Sequence, residues 1–372
     1  MITTSRKEDQ RYQGFMETTT VAFILENAST VRTNANHSLV SIRPMNLTIA
    51  CFISLSFLVG TAVNGLFLWV LGVKMKRSVN TLWFLHLILT YLITSGNMPF
   101  YVAYILLGFH WAFGTVTCKV MNSLGSLGMF NTVFLLTIVN LDRYLLTCHP
   151  IWSQHNRTIS RAHRLVIGVW LVSLALSAPY LAFRETREVE NGRLVCDNNY
   201  AFSNDWDDEK TKDLRYRVHF AFFVTRFLLA FLVPFLIIMG CSYCIGQEMK
   251  KKRLVRRTKK PFRILVASVA SFFISWLPYH LYQASVLLEG SGMVGNVLKP
   301  IFITGVCFNF CFTPILYIFV GEKFQQVFKT SILALAQKAF LDEPITSAYN
   351  INLTEGVGKE TVDRNSLVLT VT

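Results

Sequence analysis

Charge is scarce in this sequence. Asp, Glu, Lys and Arg make 16% of its 372 residues, against about 25% in a typical soluble domain, while hydrophobic residues make 52%. So little polar surface cannot clothe one soluble core, which makes a bilayer the natural solvent. Acid is scarcer than base: 22 Asp and Glu stand against 36 Lys and Arg, a formal net charge of +14. A nucleic-acid binder would spread that excess over a soluble face. Here it falls between apolar runs, as in loops beside anionic lipid. The eight Cys (Cys51, Cys118, Cys148, Cys196, Cys241, Cys244, Cys307, Cys311) form no metal-type pair with His partners. The ionisable residues at depth are Asp142, Arg143, Arg226, His86, His219 and His280. They make neither a catalytic cluster nor the rings and relays of a channel or pump, and no inverted repeat marks a transporter. The expectation is a non-enzyme with no metal or cofactor. The apolar run at 21–25 is too short for a signal peptide, so the first spanning segment is expected to act as the insertion signal.

What is present is seven apolar segments near the roughly 20 residues a spanning helix needs: 44–73, 78–109, 120–141, 165–183, 219–247, 264–288 and 300–321. The fold class expected is an all-α membrane protein, a seven-transmembrane bundle over 44–321. Ahead of it lies an N-terminal region, 1–43. Behind it, Phe324, Val327, Phe328, Ile332 and Leu333 recur at helical spacing with polar residues between them, which predicts an amphipathic inner-leaflet helix over 322–340. No Cys follows Cys311 to carry a palmitoyl anchor there. The polar stretch 341–372 reads as a disordered cytoplasmic tail, with Ser347, Thr354, Thr361, Ser366 and Thr370 as candidate phosphoacceptors.

Lys and Arg set the orientation. Lys74, Lys76 and Arg77, then Arg143, Arg157, Arg161 and Arg164, then the basic run 250–263, belong to one set of loops. The opposite loop, 184–217, mixes its bases with nine acids. Basic loops are cytoplasmic, so the N-terminus is expected outside the plasma membrane and the C-terminus inside. Sequons at Asn27 and Asn36 then lie outside, as candidate glycosylation sites. Asn46 sits close to the bilayer, and Asn156 and Asn352 match on the wrong side. Cys118 and Cys196 both fall on the oxidising side and are able to pair there; the alternative is two free thiols.

Three motifs suggest a switch. Asp142-Arg143-Tyr144 ends the third segment at the inner interface, where the acid could hold the guanidinium until it is released to a partner; an interfacial anchor is the other reading. Pro278 interrupts the sixth segment two residues after Trp276 and is expected to kink it, and Pro234 and Pro314 should bend the fifth and seventh. Arg226 lies about two turns outside Pro234, where a charge needs water or a partner. It reads as the floor of an outward-facing cavity for an anionic group, against an internal ion pair or snorkelling.

Taken in order, these residues resemble the rhodopsin-like (class A) G-protein-coupled receptor family over roughly 45–335. The landmarks are Asn64, Trp111-Ala-Phe-Gly114, Cys118, Asp142-Arg143-Tyr144, Trp170, Cys196, Pro234, Trp276 with Pro278, and Thr313-Pro314-Ile-Leu-Tyr317. The stretches 145–158, 179–186 and 226–234 are similar to the chemoattractant cluster of formyl-peptide, chemerin and prostaglandin D2 receptors. The resemblance implies that Arg143 contacts a heterotrimeric G protein, that Trp276 is a toggle under the ligand, and that Tyr317 rearranges on activation. It implies that Arg226 meets a ligand carboxylate, with Arg184 and Tyr279 assisting and His280 and Gln283 beside them. The implied partners are a small anionic peptide or lipid, a G protein of the inhibitory (Gi) type, arrestin, a receptor kinase and the bilayer, with no nucleic acid.

The departures carry expectations of their own. Tyr91 and Thr313 replace the residues that hold sodium in the family, and hydroxyls alone are poor ligands for a hard cation, so no sodium effect is expected. Ser242 stands at the position of an activation Tyr, with Tyr243 displaced by one. Gly125 replaces the amine-binding Asp, and Cys307 occupies the retinal-lysine position. The altered core leaves a second reading open, a decoy receptor that binds without signalling.

Overall fold

The computed structural model describes residues 44–189, 192–203, 205, 206, 208–251, 256–289, 293–318, 326, 327, 329–331 and 333. Asn27, Asn36 and the tail phosphoacceptors lie outside the described residues, as does most of the expected helix at 322–340. The chain divides after Val327; of the second unit only 329–331 and 333 are described, and they are helical.

The first unit is a helix bundle. It runs α1 (Pro44–Trp69), α2 (Val79–Ser95), α3 (Met98–Leu106), α4 (Gly114–Cys148), α5 (Pro150–Asn156), α6 (Ile159–Ser177), α7 (Pro179–Phe183), the strands β1 (Arg184–Val189) and β2 (Arg193–Asn198), α8 (Glu209–Phe227), α9 (Val233–Lys251), α10 (Arg256–Glu289) and α11 (Met293–Ile318). Among the described residues, five helical spans are long and apolar enough to cross a membrane: Pro44–Lys74, Val79–Leu106, Gly114–Cys148, Ile159–Phe183 and Glu209–Lys251. The sequence's sixth and seventh apolar segments lie on α10 and α11.

Prolines decide where the spans break. The second segment is two helices, not one, because Pro99 cannot donate a backbone hydrogen bond and so opens α3 after the turn at Gly96 and Asn97. Pro234 acts more gently. The turn before it, Leu228–Leu232, widens to π-helix, and the span continues as α9. A similar π-turn, Val70–Lys74, finishes the first span. α10 passes through Pro278 as one helix.

Small residues and buried amides hold the helices together, as lipid offers no hydrophobic drive between them. A Cβ on Gly60 would collide with the Phe310 ring, and Asn64 one turn on donates to the Phe310 carbonyl at 3.0 Å, joining α1 to α11. Asn131 of α4 donates to Thr90 of α2 at 2.5 Å. Trp170 of α6 donates to His86 at 3.2 Å. Asn309 donates to the Ser271 carbonyl at 3.3 Å and accepts from the Ser271 hydroxyl at 2.9 Å, tying α11 to α10.

The 184–198 part of the long acid-rich loop is an antiparallel hairpin with Thr186 opposite Cys196. Asn191-Gly192 is a hairpin-turn pair in the sequence, and Gly192 takes φ +70°, a backbone that suits glycine. Cys118 and Cys196 form a disulfide with a Cα–Cα distance of 5.7 Å. It fastens β2 to the first turns of α4. Thr115 bonds Thr186 at 2.6 Å, and the Trp111 amide donates to the Leu194 carbonyl at 2.8 Å. The hairpin is thus pinned at three points over one end of the bundle. Replacing Cys118 and Cys196 together by Ser frees a loop of 78 residues and is expected to cost about 2–4 kcal/mol. The check is the midpoint of heat inactivation of the solubilised protein, followed by fluorescence-detected gel filtration; an unchanged midpoint would show that the tether carries no stability.

Candidate functional site

Beneath the hairpin, the bundle encloses a cavity of about 390 Å³, within the range of small-molecule sites. Its wall carries three cations, Arg184 from β1, Arg226 from α8 and Lys299 from α11, and no Asp or Glu among the described residues. A charge at this depth is held only if something replaces its water. Arg226 donates to the Tyr279 hydroxyl, and its guanidinium lies 4.9 Å from the Tyr180 ring centroid and 5.5 Å from that of Tyr279. Arg184 donates to the Cys196 carbonyl at 3.0 Å, while its buried Nε has no partner among the described residues. Lys299 lies 4.9 Å from the Tyr282 ring centroid. Among the described residues none of the three has a carboxylate oxygen within 4.0 Å. Ring faces and neutral oxygens hold these cations, which leaves them able to receive an anion.

Most of the ligand-side candidates therefore meet in one place. Tyr279 and Gln283 line the cavity together with Arg226 and Arg184. His280 does not. One residue on from Tyr279, it is turned by about 100° around the helix and packs against Phe227 and Phe231, with ring centroids at 5.8 and 5.0 Å. It is 2% exposed, and neither ring nitrogen has a hydrogen-bond partner among the described residues. Trp276 lines the cavity and touches Tyr279 edge-on at 5.6 Å and Phe302 at 5.3 Å. The wall continues inward past Gly125 to Tyr91, Cys307 and Asn309.

Sequence reasoning missed Lys299 and Tyr180. The one signal for Lys299 was a basic residue set directly before Pro300, where the apolar run begins.

The opposite end of α4 is built differently. Of the two readings left open for Asp142 and Arg143, a mutual pair is not what the structure shows. Adjacent residues on a helix point about 100° apart, so each finds a partner elsewhere. Asp142, 8% exposed, accepts from Arg157 Nε at 2.7 Å and Nη2 at 3.1 Å, a bidentate pair. Arg143 donates to Asn80 Oδ1 at 2.9 Å, and Arg157 reaches the same oxygen at 2.5 Å. One amide of α2 thus joins both guanidiniums. Tyr144 instead bonds His149 at 3.0 Å. Ser78 starts α2 with a reciprocal capping box to Thr81, which fixes Asn80 in the first turn.

Pro278 lies on the α10 backbone. Pro314 and Tyr317 fall on the backbone of α11, and their side chains lie outside the described part. Tyr243 is 68% exposed on the outer face of α9, so it does not turn inward to stand in for Ser242.

A bundle with a cation-lined cavity at one end and a paired-charge lock at the other has the build of a multi-pass membrane receptor. The family described as "7 transmembrane receptor (rhodopsin family)" matches residues 63–317, and the chain belongs to that family. It is similar to "Probable G-protein coupled receptor 33" of Pan troglodytes and of Homo sapiens, each 44% identical over 319 residues, covering 86% of this chain and 95% of the relative. It is also similar to "Chemerin-like receptor 1" of Sus scrofa, 35% identical over 311 residues, covering 81% of this chain and 83% of the relative. The protein is therefore a G-protein-coupled receptor and not an enzyme, and its partners as a class are a ligand and a G protein.

The lock can be measured. Asp142→Asn and Arg157→Gln should each destabilise the receptor, and the double variant should lose less than the sum of the two. The expected coupling is roughly 1–3 kcal/mol. Thermal unfolding of all four proteins gives the cycle, and strict additivity would show that the pair contributes nothing.

Proposed function

We propose that this receptor sits in the plasma membrane with its N-terminus outside and responds to an anionic peptide or lipid chemoattractant by activating a heterotrimeric G protein of the Gi type. The carrying observation is that Arg226 and Arg184 line one cavity that has no carboxylate in its described wall. Orientation is supported by the disulfide at the cavity end and by the Lys and Arg of the opposite loops. The chemoattractant class is supported by the likeness to a chemerin-like receptor.

In this reading the anion lands on Arg226 and Arg184 under the hairpin. It must prefer the active packing, because equal affinity for both states shifts nothing. Arg226 is bonded to Tyr279, one turn from Trp276, so the anion acts on the link between α8 and α10. The inner half of α10 then swings about Pro278. At the other end Arg143 leaves Asn80 and meets the G protein, after which receptor kinase and arrestin act on the tail. The second reading is a decoy that binds and internalises without coupling; Tyr91, Thr313 and Ser242 favour it, and an intact Asp142-Arg143-Tyr144 opposes it.

Inhibition of cyclic AMP in cells expressing the receptor tests this, with a panel of anionic chemoattractant peptides and fatty acids. The expected result is a response that vanishes with Arg143→Ala and loses about tenfold or more in potency with Arg226→Ala, the scale of one lost charged contact. Binding and uptake with no G-protein response would establish the decoy.

A further inference from the structure

The reading above assigns the cavity one anion, and the third cation extends it. Lys299 enters from α11, whereas Arg226 comes from α8 and Arg184 from β1. Lys299 stands against Tyr282 and Arg226 against Tyr279, both on α10. Those tyrosines are three residues apart, a rise of about 4.5 Å along the helix. The two cations are therefore held at different levels of one helix, Lys299 one turn further from Trp276.

Two acids on the neighbouring hairpin, Asp197 and Glu185, are already engaged. Asp197 accepts from Arg187 Nη2 at 3.3 Å and from the Asn198 amide at 2.8 Å. Glu185 accepts from Asn199 Nδ2 at 2.7 Å. A ring face replaces only part of a cation's hydration. A ligand that fills the cavity strips water from both levels, so a single carboxylate satisfies one and leaves the other desolvated. Around them the wall is apolar, with Phe223, Phe302, Ile303 and Val306.

We propose that Lys299 is a second anion anchor, distinct from the Arg184–Arg226 site, and that the ligand carries two acidic groups on an apolar body. This rests on the cavity being the ligand site.

The test uses the full-length receptor in lipid nanodiscs, with empty nanodiscs as blank. Equilibrium dialysis compares straight-chain alkanoic acids with α,ω-alkanedioic acids of the same lengths. At the best length the diacid should bind about tenfold tighter, the worth of one added charged contact. Lys299→Gln should remove that advantage by weakening the diacid more than the monoacid, Lys299→Arg should keep it, and Arg226→Gln should weaken both acids. If diacid and monoacid bind alike at every length and Lys299→Gln alters neither, while Arg226→Gln still weakens both, the second anchor is wrong and the anionic cavity stands. If neither acid binds saturably, or Arg226→Gln changes nothing, the proposal falls together with the anionic reading.

Discussion

A charge below the surface of a bilayer-spanning bundle has to be solvated by protein, since the surrounding hydrocarbon offers no dipoles. The bundle answers that demand in two ways at its two ends. At the Asp142 end the three charges at the heart of the lock find a complementary one or a directed amide: Asp142 with Arg157, and Arg143 and Arg157 with Asn80. At the cavity end the direct contacts of Arg226, Arg184 and Lys299 among the described residues are phenol rings, a hydroxyl and a backbone carbonyl. The first arrangement is saturated and holds three helices in register. The second is unsaturated in anions among the described residues, and an unsaturated cationic wall inside a cavity is suited to an acidic ligand.

The hairpin makes the second arrangement possible. It places Arg184 in the cavity wall, and it carries acids of its own that would otherwise quench the site. Those acids are engaged locally, Asp197 by Arg187 and Glu185 by Asn199. Arg187 and Asp197 thus neutralise each other within the roof, and the cavity wall below carries Arg184, Arg226 and Lys299. The disulfide to α4 holds that roof where its internal pairing does this.

Much of the fold was legible because hydropathy over about 20 residues outweighs every other local signal in a membrane chain. The same rule exposed Arg226: a lone charge in an apolar segment is conspicuous, and it does face the cavity. The partners of charged groups were not legible. Arg157 is 15 residues from Asp142, and Asn80 is 63 from Arg143; their meeting depends on how the ends of α2, α4 and α5 converge, which no local pattern encodes. The hairpin escaped because charge on both faces of 184–198 hides the period-two alternation by which a strand is recognised. Lys299 escaped for the opposite reason: at the edge of an apolar run, a Lys reads as a loop residue until α11 is seen to start two turns earlier, at Met293.

The Arg226–Tyr279 bond ties these strands together. It spans α8 and α10 and lies one helical turn from Trp276. A cation that donates to a neutral hydroxyl gives up that bond more readily than one paired with a carboxylate, because a carboxylate adds the attraction of an opposite charge and can accept two parallel hydrogen bonds. An acidic ligand that takes Arg226 therefore competes with Tyr279 and bears on how α8 and α10 pack. An apolar ligand of the same shape would leave the bond intact and offer the two packings nothing different to respond to. Had an internal Asp or Glu neutralised Arg226, the same ligand would have had to break an ion pair before it could act. In the proposed reading, the lack of a carboxylate in the described wall therefore serves triggering as much as affinity.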